Sequence, residues 1–163
     1  GMLTTPAPEE SVSSDIRYHF VWATRRRRPF LNGPILSRAT ELLTEAADTL
    51  GVQIAEVGAG VDYLVVTTYA TTDLAPAMIV SRLKRHSASG LRRQFPELAR
   101  LPSIWTRQYL ATTRDELSPE RIARFVRAQP RNERRRITTF VPRDGMTAMG
   151  GAHIETQRLP EIA

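Results

Sequence analysis

Residues 52–69 read VQIAEVGAGVDYLVVTTY, two runs rich in β-branched residues on either side of Gly58-Ala59-Gly60. Branched and aromatic side chains favour extended chain, and a glycine-rich interruption between two such runs predicts a hairpin. The reading is a strand over 52–57, a turn at 58–60 and a strand over 63–69, paired antiparallel. Upstream, IRYHFVWAT at 16–24 is dense in the same residue types and predicts another strand, ended abruptly by Arg25-Arg26-Arg27-Arg28-Pro29. Between that strand and the hairpin lies a helix. Asn32 is placed to cap it and Pro34 falls in its first turn. Ile35, Leu36, Ala39, Leu42, Leu43, Ala46, Ala47 and Leu50 form its apolar stripe, and Gly51 stops it.

Downstream, a second helix begins near Asp73 and Pro76 and carries Met78, Ile79 and Leu83 inward. It meets a break at Gly90 before continuing toward Phe95. Residues 103–112, with Trp105, Tyr109 and Leu110, predict a fourth strand. Ser118-Pro119 opens a helix through Ile122, Phe125, Val126 and Gln129 that Pro130 ends. The order β-α-β-β-α-β-α fits an α+β domain, a ferredoxin-like antiparallel sheet with helices. The expected division is a leader at 1–14, one domain at 15–140 and a C-terminal arm at 141–163. A fold of this kind names no function by itself.

Composition narrows the chemistry. The chain has 163 residues and no cysteine, so disulfides, thiolate metal sites and cysteine nucleophiles are excluded. No apolar run is long enough to span a bilayer, the first residues lack the features of a signal peptide, and a cytoplasmic location is the expectation. The formal net charge is +6, and Lys84 is the only lysine among the 23 basic residues. Positive charge carried by guanidinium points to a phosphate-bearing polymer, nucleic acid before membrane. The charge is clustered: Arg25, Arg26, Arg27 and Arg28 follow the first strand. Arg82, Lys84, Arg85, Arg92 and Arg93 lie on the second helix and its extension, and Arg131, Arg134, Arg135 and Arg136 follow the third. His19, His86 and His153 are isolated from one another, a poor basis for a metal site.

Five segments then matter for their order. YHFVWATRRRRPFL at 18–31, VDYLVV at 61–66 and DLAPAMIVSRLKRHSASGLRRQFPEL at 73–98 are followed by IWTRQYLATT at 104–113 and RIARFVRAQ at 121–129. Together they resemble the small HUH transposases with a single catalytic tyrosine, the group that includes REP-associated tyrosine transposases. The resemblance implies a dimer that binds hairpins in single-stranded DNA. In such enzymes a tyrosine attacks a phosphodiester and becomes joined to the DNA 5′ end. Two histidines, separated by one hydrophobic residue, help hold a divalent metal, magnesium or manganese, on the scissile phosphate. The metal supplies the activation that a phenol needs at neutral pH.

This chain departs from that pattern at the reacting positions. Anchored on Asp73-Leu74 and Lys84, the family's Asp-His-hydrophobic-His falls on Asp62, Tyr63, Leu64 and Val65, so neither histidine is present. A register two residues earlier gives Val61 and Tyr63, again without a histidine. The helix that bears the nucleophile has Phe125 in place of tyrosine, while Gln129, which in the family joins the metal, is retained. A lone amide is a poor site for a hard divalent ion. The expectation is a DNA-binding relative without strand cleavage, needing no metal. Against it stand an active nickase with a rearranged site and a dimeric scaffold that no longer binds DNA. Tyr63 is also placed to stack on a base. Trp22, Trp105 and Leu110 are expected to pack.

Overall fold

Strand β1 (Asp15–Ala23) lies inside a four-stranded sheet of order β2-β3-β1-β4, with β2 (Gln53–Gly60), β3 (Tyr63–Thr71) and β4 (Leu110–Thr112). Every neighbouring pair is antiparallel. Four helices complete the domain: α1 (Gly33–Leu50), α2 (Pro76–Gln94), the single turn α3 (Pro96–Ala99) and α4 (Pro119–Ala128). The computed structural model describes residues 15–131. The expected leader at 1–14 and arm at 141–163, with the end of the expected domain past 131, lie outside the described residues. The order β1-α1-β2-β3-α2-β4 with this sheet arrangement is the expected ferredoxin-like α+β architecture.

Strand alternation sorts the sheet into two faces. Tyr18, Phe20 and Trp22 of β1, with Leu64, Val66 and Ala70 of β3, enter the main core beneath α1 and α2. There they meet Leu42, Leu43, Ile79, Leu83 and Leu91. Some of the helix signals read from sequence hold and others do not; Met78, expected inward on α2, is 48% exposed. Gly51 ends α1 in the left-handed conformation (φ 77°), its N–H returning to the carbonyls of Ala47 and Asp48. Ser118 caps α4, its hydroxyl accepting from the Arg121 N–H at 3.2 Å. Asn32, by contrast, makes no side-chain cap on α1 and donates instead to the Pro29 carbonyl.

Three further expectations are corrected. Gly90 is no break: α2 runs unbroken through it, and the glycine serves packing against α1, since a Cβ there would overlap the buried Leu42 side chain. The hairpin turn is at Val61-Asp62, and Gly58 and Gly60 are strand residues. Gly60 pairs with Tyr63 and leaves room for its ring, while the turn carbonyls of Val61 and Asp62 are taken by the N–H groups of Leu31 and Thr24. The fourth strand is only Leu110–Thr112. Residues 103–109 make one bridge, Thr24 to Trp105, and the Thr106 and Arg107 carbonyls are taken by Lys84 rather than by a ladder.

Candidate functional site

The face of the sheet opposite α1 and α2 carries Tyr63 and Val65 from β3 and Val21 from β1, with Val65 paired directly to Val21 and Val21 to Leu110. α4 lies on this part of the sheet. Its apolar positions Ile122, Phe125 and Val126 recur at helical spacing and join Val21, Leu110, Leu117, Tyr63 and Val65 in a second cluster, separate from the main core. Positions 63 and 65 on β3 and position 125 on α4, far apart in sequence, are therefore brought into one cluster. What they form is apolar: Phe125 is 1% exposed, while Tyr63 and Val65 are partly buried against it.

Gln129 is the fourth position, the one that is retained, and the helix ends before it. Its backbone is extended (φ −78°, ψ 137°), as the following Pro130 requires. The side chain is buried and folds back, Nε2 donating to the Phe125 carbonyl at 3.1 Å; Oε1 has no partner among the described residues. The donor set does not fit a divalent ion. Val65 has no donor atom, Tyr63 offers a phenol, and one amide oxygen remains, where magnesium or manganese favours several oxygen ligands including carboxylates. No group of three or more His, Asp or Glu that could hold a metal occurs among the described residues.

The histidines do not rebuild the site. His19 shares this face, with Nδ1 2.8 Å from Thr67 Oγ1 and Nε2 3.3 Å from the Asp115 carbonyl. A carbonyl only accepts, so Nε2 donates to it. His86 is on α2, across the sheet, with Nε2 2.9 Å from Glu45 Oε1. His153 lies outside the described residues. Arg17 stands outside the arginine runs. It stands over the Tyr69 ring (5.7 Å) and donates to the Asp115 carbonyl at 3.0 Å, so Arg17 and His19 together hold the loop that leads into α4. Its only sequence signal is its alternation with His19 and Val21 along β1.

The basic residues lie on separate elements of the chain. Arg25, Arg26 and Arg27 form a 3-10 turn after β1, continued by Arg28. Arg25 donates to Ser103 Oγ (2.8 Å), Arg26 is exposed, Arg27 lies 3.4 Å from Asp62, and Arg28 is half-buried. On α2, Arg85 and Arg93 are exposed and donate to Ser81 and Ser89 one turn back, while Arg82 and Arg92 are half-buried on the same side. That helix contains no carboxylate, and none of these four arginines forms an ion pair with a described residue. Arg131, beyond α4, is exposed. Arg134, Arg135 and Arg136 lie outside the described residues.

Lys84 departs from the expectation. Its Nζ is turned inward, donating to the carbonyls of Thr106 (2.8 Å) and Arg107 (3.1 Å) beside the Tyr109 ring. Burial, and secondarily the charge of Arg107, push the ammonium down to about 7. An amine spent on two carbonyls is a tie between α2 and residues 106–107, not a phosphate contact. Sequence alone ranks it with its arginine neighbours because helical spacing does not say which side of α2 is covered by residues 103–109.

The family model described as "Transposase IS200 like" matches residues 12–129. Among solved structures, a protein from Deinococcus radiodurans R1 described as a transposase superposes with a TM-score of 0.67 at 23% identity, covering 71% of this chain and 92% of that one. A REP-associated tyrosine transposase bound to a REP hairpin superposes with a TM-score of 0.48 at 11% identity, covering 63% and 58%. The first of these establishes a shared fold. No curated protein matches the sequence.

Proposed function

The chain belongs to the IS200-like transposase family, and from that premise we propose that it is a DNA-binding transposase relative that has lost strand cleavage. One observation carries the loss. The positions of the two histidines and the nucleophile are assembled on one face of the sheet, as the chemistry would require, yet they hold Tyr63, Val65 and Phe125 packed into an apolar cluster. A reaction that needs a metal-activated phosphate and a hydroxyl nucleophile has neither ligand nor nucleophile there.

Support for DNA binding comes from the arginines. Arg82, Arg85, Arg92 and Arg93 place guanidinium on a helix without carboxylates, and the turn at Arg25–Arg28 adds a second basic surface. Guanidinium neutralises phosphate and releases counterions, so binding of this kind falls steeply with salt. The ligand in this reading is a single-stranded DNA hairpin and the binding species is a homodimer, both carried from the family. Cytoplasmic location, with access to DNA, goes with it; among the described residues no helix is long and apolar enough to cross a membrane.

The test is one experiment on a panel of single-stranded hairpins with magnesium or manganese, read on native and denaturing gels, with light scattering for the oligomer. Salt-sensitive binding without a covalent adduct is the expected result. An adduct overturns the loss of cleavage, and absence of binding to every hairpin at moderate salt overturns the DNA reading in favour of a scaffold.

A further inference from the structure

Arg26 (φ 58°, ψ 19°) and Arg27 (φ 56°) are the only non-glycine residues in the left-handed region among the described residues. There Cβ crowds the following carbonyl, a costly conformation that persists only where the surroundings over-determine it, and such strain gathers at functional sites. The apolar core does not demand it, since no residue of the turn is fully buried.

Part of what holds the turn comes from the hairpin tip. The Asp62 carbonyl accepts from the Thr24 N–H at 2.9 Å, and the Asp62 carboxylate lies 3.4 Å from Arg27 Nε, with the two side chains only 17% and 15% exposed. At that distance the contact is an ion pair rather than a hydrogen bond. Thr24 Oγ1 donates to the Arg28 carbonyl at 2.8 Å and closes the turn. From the other side, the Arg25 N–H donates to the Ile104 carbonyl and its guanidinium to Ser103. The turn is thus formed from within the protein.

We infer that Asp62 is a positioning residue for nucleic-acid binding, bracing the strained arginine turn so that it meets a phosphodiester backbone already formed. The inference rests on the DNA-binding reading above and assigns Asp62 no contact with DNA. A loose arginine loop loses conformational freedom when it binds, and a braced one does not, which is how a brace raises affinity. The carboxylate's charge acts in the opposite direction, because it repels phosphate. The two roles therefore predict opposite signs: Asp62→Asn tightens binding if Asp62 is merely a nearby charge and weakens it if Asp62 is a brace.

The experiment uses the full chain with a fluorescent DNA hairpin and an unstructured strand of equal length, read by anisotropy across a potassium chloride series. Wild type, Asp62→Asn, Arg26→Ala and the double variant are compared, each with a thermal unfolding curve. The expected result is a loss of affinity of about 3–10-fold in Asp62→Asn, the size of a typical coupling between neighbours, that disappears in the Arg26→Ala background. Unchanged or tighter binding overturns the inference, as does an equal loss in both backgrounds, which marks general destabilisation. Arg26→Gly gives an independent reading: relief of backbone strain raises the Tm while affinity falls, and unchanged affinity overturns the inference. A wild type that binds neither oligonucleotide overturns the DNA-binding reading and this inference with it, whereas binding with a tighter Asp62→Asn overturns this inference alone.

Discussion

Restoring the nucleophile alone, Phe125→Tyr, is expected to damage the protein rather than revive it. The Phe125 ring is 1% exposed among Val21, Leu110 and Val126, with Tyr63, Val65, Leu117 and Ile122 packed around them. A hydroxyl added there must give up water. Without a hydrogen-bond partner that costs about 1–3 kcal/mol. In a domain of roughly 100–150 residues, ~1 kcal/mol moves the Tm by about 4 °C, so a fall of about 4–12 °C is expected. Phe125→Ala, which empties the site, should cost more, about 3–5 kcal/mol. The assay is thermal unfolding by circular dichroism of the three proteins side by side, followed by the denaturing gel with hairpin DNA and magnesium. No adduct is expected from Phe125→Tyr, because Tyr63 and Val65 still supply no imidazole. A Tm equal to or above wild type would refute the reasoning: the new oxygen would then have reached water or the free Oε1 of Gln129, and the cluster would be open at the very position where the family's chemistry takes place.

Three further outcomes are expected. The Lys84 ammonium titrates near 7 in the native state and near its ordinary value when unfolded. Between these values the unfolded chain binds the extra proton, so stability is lowest below pH 7 and rises with pH above it, by up to about 1.4 kcal/mol per pH unit. Urea unfolding at pH 6 to 9 should show that slope, and Lys84→Met should flatten it; an unchanged slope refutes the buried amine. Alanine at Arg82, Arg85, Arg92 or Arg93 should weaken DNA binding for all sequences and lower the salt slope by about 1 each, whereas Lys84→Ala should leave the slope alone. If Lys84→Ala lowers it as the arginine variants do, the inward placement is wrong. Gly90→Ala should destabilise by about 1 kcal/mol in chemical unfolding, overpacking against Leu42 outweighing the better helix propensity of alanine, and a stabilised variant would show that α1 and α2 have room to part.

The elements legible in the sequence are those whose signals are local. The apolar stripe of α1 stopped by Gly51, the Ser118-Pro119 start of α4 and the branched runs of β1 and β3 each announce themselves within one or two turns or a few strand residues. The same holds for the altered chemistry, because the absence of imidazole at 63 and 65 and of a hydroxyl at 125 is a property of the residues and needs no geometry. The hairpin turn lies outside Gly58-Ala59-Gly60 for a tertiary reason: that segment has turn composition, but the space that Gly60 leaves is used by Tyr63 across the ladder. Residues 103–109 have strand composition, yet Lys84 on α2 takes the carbonyls of 106 and 107, a competition between a side chain and a ladder that no local pattern records.

What the sequence by itself determined is the order of elements, the family pattern and the residues that stand at positions 63, 65 and 125, since all three are read from residue identity and spacing along the chain. Only the tertiary structure decided that Tyr63, Val65 and Phe125 join one apolar cluster and that Lys84 faces inward while its arginine neighbours do not. It also decided that Asp62 meets Arg27 and Thr24 across the hairpin. These are contacts between segments far apart in sequence, and burial or the direction of a long side chain depends on which neighbour covers it.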